Sequence, residues 1–191
     1  MNEGDKTTDS RDAPIPRLTP LSPGQLSSEQ AAFLAPYSDK QGNFANVFGM
    51  LARHLDLAKA WEPFGLYTLR GNQLDPLERE ILILRTAILI NSPYEWHQHA
   101  KIARRLGMTD LQLEEIRTGT SAAEATQLLM TCANELITEQ KLSALTWQAL
   151  VSKYAVDYVL DLIFTVGAYT ALGMALNSCG IEVETEVETD A

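Results

Sequence analysis

Glu80, Glu95 and His99 have the types and spacing for proton-transfer chemistry. Glu95 and His99 are four positions apart, so on a helix they share one face. Glu80 stands 11 residues before Asn91 and His99 stands 8 residues after it. If the chain turns at Asn91 between two antiparallel helices, a rise of about 1.5 Å per residue brings them to similar depth. A carboxyl and an imidazole converging between buried helices suit general acid–base work. Burial raises the pKa of the acid and a neighbouring carboxylate raises that of the imidazole, so either group is poised near neutrality. Each residue also has a plainer reading. Glu95 falls at the third helical position behind Ser92, where a capping box accounts for it. His97 and His99 fit solvated side chains or ones satisfied by backbone carbonyls. Glu80 adjoins the apolar run Ile81, Leu82, Ile83, Leu84 and there wants a partner. Arg79 and Arg85 are candidate partners or carboxylate binders, or else surface charges.

Other chemistries find no support in the residues. His97 and His99 are two apart and point about 200° from each other on a helix, so they do not chelate one metal together. No HExxH is present, and no metal is expected. GxGxxG, GxxxxGK[ST] and GxSxG are also missing, and nothing supports a nucleotide or other cofactor. The two cysteines, Cys132 and Cys179, form no CxxC pair and no disulfide framework, which fits a reducing, cytoplasmic setting. A formal net charge of -10 argues against nucleic acid and anionic membrane as partners. Met1 to Pro23 is polar without an apolar core, so it does not read as a secretory signal.

These groups must be held by helices. With 191 residues, 46% of them hydrophobic, the chain suits one domain with a sizeable core. Sustained period-two patterning and Asn-Gly or Asp-Gly hairpin signals are missing. Asp75, Pro76 and Glu78 resemble a capping box opening a helix that is apolar nearly all round and ends at Asn91. Ser92, Pro93 and Glu95 open a second, which stops near Gly107. Thr109 caps a short helix closed by Gly119, and Ser121 with Glu124 predicts a capping box for a helix through about Glu139. Upstream, Ser27 and Ser28 precede a short helix near Pro36, Asn46 to Arg53 is helical with Leu55 to Trp61 extending it, and Pro63 with Gly65 predicts a break or kink. Downstream, Ser143 to Val151 is short and Ala155 to Ser178 long. The run from Tyr158 to Leu176 is apolar, but Asp161, Gly167 and Gly173 within it favour a buried core helix over a membrane span. The expectation is an all-α, single-domain bundle of about eight helices over residues 26–180. A disordered or extended N-terminal arm over 1–25 precedes it and an acidic tail over 181–191 follows.

Several blocks carry a family likeness. They are Leu74-Asp-Pro-Leu-Glu-Arg-Glu-Ile-Leu-Ile-Leu-Arg-Thr-Ala, Tyr94-Glu-Trp-His-Gln-His-Ala, and Gly107-Met-Thr-Asp followed by Glu115-Ile. Leu51-Ala-Arg-His-Leu-Asp-Leu extends the likeness upstream; Glu135-Leu, Thr146-Trp and Val166-Gly-Ala-Tyr to Asn177 extend it downstream. Over roughly residues 42 to 182 the chain resembles the carboxymuconolactone decarboxylase family. That resemblance implies an alkylhydroperoxidase D-like helical fold and homo-oligomers, trimers or hexamers. The family includes decarboxylases of 4-carboxymuconolactone and thiol peroxidases with the pattern Glu-x11-Cys-x2-Cys-x3-His. Aligned by its histidine, the pattern puts the glutamate on Glu80, the histidine on His99, and the two cysteines on Ser92 and Glu95. Without those thiolates the peroxide route is closed.

The resemblance then implies the decarboxylase branch, which uses no metal or organic cofactor. His99 is its general acid/base and Glu80 orients it or relays protons. Glu95 replaces a catalytic residue or only caps the helix. Arg53, Arg79 and Arg85 are the candidates for holding a substrate carboxylate, and Tyr169 lines the pocket or packs in the core. The expected activity is a cofactor-free lyase or isomerase acting on a small carboxylated or lactone-like molecule. A non-catalytic oligomeric small-molecule-binding protein is the alternative.

Overall fold

A computed structural model describes residues 17–184. Residues 1–16 of the expected arm and 185–191 of the expected tail lie outside that range. The described chain is all-α, with no strand. Its helices are α1 (Ser28–Leu34), α2 (Asn46–Leu51), α3 (Leu55–Leu66), α4 (Pro76–Leu89), α5 (Pro93–Arg105), α6 (Asp110–Thr118), α7 (Glu124–Thr138), α8 (Ala144–Val151) and α9 (Val156–Cys179).

Helix α4 is the axis of the fold because its sequence offers no polar stripe to water. Residues Arg79 to Leu84, Thr86 and Ala87 are all buried, and α5, α7 and α9 pack around them. Its start is built as its sequence expects: Asp75 accepts from the N–H groups of Leu77 and Glu78, and Pro76 occupies the first turn. The Glu78 carboxylate does not reach back to complete a capping box. It takes the hydroxyls of Tyr154 and Tyr158, whose rings stack at 4.7 Å. Asn91, in the left-handed conformation at φ 52°, ends the helix and turns the chain so that α5 folds back along α4.

Two local expectations fail for identifiable reasons. The helix does not break at Pro63: α3 runs through it to Leu66 and widens into a π-type turn over Tyr67–Gly71. The carbonyl that loses the Pro63 donor belongs to exposed Lys59, where water can replace the missing N–H. The Ser121–Glu124 capping box does not form, because the Ser121 hydroxyl donates to Glu115 and α7 begins only after Ala123. By contrast, Thr109 and Gln112 cap α6 reciprocally, and Gly119 closes it at φ 81°.

Helix α9 is long and apolar enough to cross a membrane by length and composition. It packs against α4, α5, α7 and α8. Of its two acids Asp157 lies exposed in the first turn, and Asp161 is buried and satisfied by the Tyr67 hydroxyl at 2.6 Å and the Gln73 N–H at 3.2 Å. The ends of the described chain are strapped to the bundle. The N–H groups of Arg17 and Leu18 donate to the Cys179 carbonyl, and that of Leu21 to the Gly49 carbonyl. Gly49 permits that approach, since a Cβ there would overlap the Leu21 carbonyl. At the other end Ile181 is buried beside Met50, Tyr94 and Leu176. Glu184 accepts from the Asn46 N–H, the Tyr94 hydroxyl and the Gln98 amide.

Candidate active site

The α4–α5 turn brings Glu80 and His99 together. Glu80 is 2% exposed and His99 7%, and Glu80 Oε2 lies 2.8 Å from His99 Nδ1. A carboxylate bonded at Nδ1 fixes the ring's orientation and leaves Nε2 as the nitrogen not committed to Glu80. Tyr169 of α9 sets its ring edge-on to the imidazole, with centroids 4.9 Å apart and planes at 90°. Burial, with the nearby charges of Glu80 and Glu95, pushes the Tyr169 hydroxyl well above its ordinary pKa, so it stays protonated.

Glu95 lies one turn before His99 and is 2% exposed. Neither of its carboxyl oxygens has a hydrogen-bond partner. The capping reading of Glu95 therefore fails: Ser92 occupies the N-cap position without making a side-chain cap, and its own hydroxyl is also unpartnered. Burial, offset only in part by the neighbouring Ser92 hydroxyl, pushes the Glu95 carboxyl up to about 8, so it is largely protonated at neutral pH. The backbone of α9 leaves room for this group through Gly173, where a Cβ would overlap both Glu95 Oε2 and the tip of Ile90.

Glu95, His99 and Tyr169 face a cavity of about 240 Å³ bounded by α1 to α3, α5 and α9. Its walls are mainly aliphatic and aromatic, among them Phe33, Phe48, Trp61 and Leu172. A second polar pair, absent from the sequence-based expectation, lies in the same wall. The Tyr37 hydroxyl donates to Glu62 Oε1, and burial with the Glu62 hydrogen bond and charge raises Tyr37 to about 12. These residues are 25 positions apart on different elements, so no local spacing announces them. Tyr94 and Gln98, both held by Glu184, complete the polar lining of the α5 wall.

The arginines expected to bind a carboxylate do not line the cavity. Arg53 donates to the Thr19 carbonyl and pins the N-terminal strap. Arg79 donates to Asn72 Oδ1 and the Leu74 carbonyl, fixing the loop before α4. Arg85 donates to Asn134 and to the carbonyls of Ile116 and Arg117, closing the end of α6. Each guanidinium satisfies carbonyls that loops and helix ends leave without intrahelical partners. Among the described residues no group of three or more His, Cys, Asp or Glu side chains is placed to hold a metal ion. Cys132 is buried in the apolar core between α4, α7 and α9, and burial lifts its thiol to about 12; neither it nor Cys179 lines the cavity.

Residues 56–139 match the carboxymuconolactone decarboxylase family. In fold the chain is similar to an alkylhydroperoxidase AhpD core, an uncharacterized peroxidase-related protein from Ralstonia eutropha JMP134. The TM-score is 0.78 at 17% identity, over 91% of this chain and 94% of that one. It is also similar to an uncharacterized peroxidase-related protein from Silicibacter sp. TM1040, with a TM-score of 0.75 at 15% identity over 94% and 96% of the two chains. A variant of the debrominase Bmp8 in complex with 2,3,4-tribromopyrrole gives a TM-score of 0.68 at 13% identity, over 91% and 95%. These likenesses establish the alkylhydroperoxidase D-like all-α fold. No curated protein matches the chain's sequence.

Proposed function

We propose, for a chain whose residues 56–139 are of the carboxymuconolactone decarboxylase family, that the cavity is an acid–base site. It would catalyse a lyase or isomerase step on a small lactone-like or unsaturated carbonyl compound. One observation carries the reading: an unpartnered, buried Glu95 carboxyl faces an apolar cavity beside an imidazole whose other nitrogen is held by Glu80. A protonated carboxyl in such a site donates to a carbonyl oxygen and stabilises the negative charge that develops there when the adjacent carbon loses a proton. His99 Nε2 takes that proton and returns it to another carbon in an isomerisation, or, in a lyase step, gives it to the group that the enolate expels as the bond to the β-carbon breaks, while Glu80 holds the ring and stabilises the imidazolium formed in between. The reaction thus proceeds through an enolate, with the side chains restored at the end of each turnover.

The substrate preference departs from the carboxylate expected at first. A ring with a carbonyl suits these walls better than an anion, since Arg53, Arg79 and Arg85 are committed elsewhere. The similarly folded debrominase, in complex with a small halogenated ring, is consistent with a ring-sized ligand in this architecture. A thiol peroxidase reading has no support, because Ser92 and Glu95 stand where that chemistry needs its cysteines. The second reading is a binding protein without turnover, favoured by the predominance of apolar wall. Trimers or hexamers are proposed with either reading, the exposed Val156, Leu160, Phe164 and Met174 of α9 offering an apolar face for assembly. Light scattering would test that.

Turnover of a panel of lactones and β,γ-unsaturated ketones by wild type, His99→Ala and Glu95→Gln separates the two functions. Catalysis requires that His99→Ala lose at least about a hundredfold in kcat. Equal turnover by wild type and His99→Ala would remove His99 from the mechanism. Saturable binding without turnover in wild type would establish the binding protein.

A further inference from the structure

Two polar places in the cavity wall are not committed to Glu184. One is Glu95 with His99 on α5; the other is Glu62 on α3, paired with Tyr37. The two places make opposite demands. Glu95 is a donor while protonated, so it asks a ligand for an acceptor such as a carbonyl oxygen. Glu62 uses Oε1 to accept from Tyr37, and Oε2 has no partner among the described residues, so it asks for a donor. The rest of the wall is mainly aromatic and aliphatic, Tyr94 and Gln98 donate to Glu184, and no lysine or arginine lines it. Arg70, whose charge reaches Tyr37, does not line the cavity either. An anion entering here would meet Glu62, with Glu80 behind His99, and would lose its hydration without gaining a cation.

We infer that the cavity selects an uncharged one- or two-ring molecule carrying a carbonyl at one end and a hydroxyl or N–H donor at the other, with Glu62 as the specificity-determining residue and carboxylates excluded. The inference rests on the acid–base reading for the carbonyl end and deepens it by naming the substrate class. The donor end rests on Glu62 and Tyr37 alone. Tyr37 takes one acceptor site of Glu62 by donating to Oε1 and leaves the carboxylate's remaining acceptor capacity to a ligand.

Isothermal titration with three probes of one skeleton tests this: 1-tetralone, 6-hydroxy-1-tetralone and 1-tetralone-6-carboxylate. The hydroxylated ketone should bind about tenfold more tightly than 1-tetralone, the gain expected of one hydrogen bond to a charged acceptor. The carboxylate should bind at least about tenfold more weakly than 1-tetralone. Glu62→Leu should bring 6-hydroxy-1-tetralone down to the level of 1-tetralone. Tyr37→Phe, which frees an acceptor site on Glu62, should keep the order of the three probes. The wild-type order needs no variant, so a misfolded Glu62→Leu leaves the comparison decisive. The inference is overturned if the carboxylate binds as well as the ketone, if folded Glu62→Leu keeps the hydroxyl preference, or if none of the probes binds. Binding is measured without turnover, so the predicted order in a protein that catalyses nothing would sink the catalytic reading and leave this one standing.

Discussion

Replacing Glu95 by glutamine should make the protein more stable at neutral and alkaline pH, by an amount set by the cost of ionising a buried acid. Burial raises the Glu95 carboxyl from 4.5 to about 8. A raised folded-state value means that the folded chain holds a proton that the unfolded chain releases. Its contribution is fully present below pH 4.5, declines as pH rises, and is gone above about 8. At about 1.36 kcal/mol per unit, the interval from 4.5 to about 8 is on the order of 5 kcal/mol, of which about 3 is lost by pH 7. Glutamine keeps the shape and the donor of the protonated carboxyl and cannot ionise. Urea unfolding of both proteins at pH 4, 5, 6, 7, 8 and 9 isolates the Glu95 contribution, because other titrating groups cancel in the difference. The two should be near parity at pH 4, then diverge by about 1.4 kcal/mol per pH unit in favour of Glu95→Gln and level off above pH 8. Parallel stability curves across this range would refute the claim that burial keeps Glu95 protonated, and with it the proposed proton donor.

Three further outcomes follow from the same geometry. Gly173→Ala should destabilise the protein by about 1–3 kcal/mol in thermal unfolding, although alanine is the better helix former, because its methyl would overlap the Glu95 carboxyl and Ile90. Glu184→Ala removes the shared acceptor of Asn46, Tyr94 and Gln98. It should cost about 1–3 kcal/mol and speed hydrogen exchange at residues 181–184, with no change at α7 as the control. The Cys132 thiol should resist a thiol reagent in the native protein and react only as fast as the chain unfolds, whereas Cys179, half-buried, should react first.

Much of the scaffold is legible in the chain because its signals are local. Asp75 with Pro76, Thr109 with Gln112, and the glycines at 119 and 180 mark helix ends through contacts spanning a few residues. The apolar run behind Glu80 identifies the central helix because no register of it offers water a polar face. Where local signals misled, a group outside the expected box had taken the side chain: Glu115 of α6 holds Ser121, and Tyr154 and Tyr158 hold Glu78. The spacing of Glu95 and His99 likewise places them on one face without reference to the rest of the molecule.

How the site residues are partnered was decided by packing. The carboxyl that holds His99 comes from another helix, and the turn at Asn91 sets its distance. Whether Glu95 caps its helix or stands alone depends on how closely α9 approaches, which Gly173 permits. The arginines looked like substrate ligands because charge and position do not tell which free carbonyl a long side chain will reach. Tyr37 and Glu62 carried no mark at all, since two residues that meet across a folded cavity share no period in the chain. Local hydrogen bonding and hydrophobic period determine which segments are helices; the surroundings of each buried polar group, and so its chemistry, are set by contacts between segments far apart in sequence.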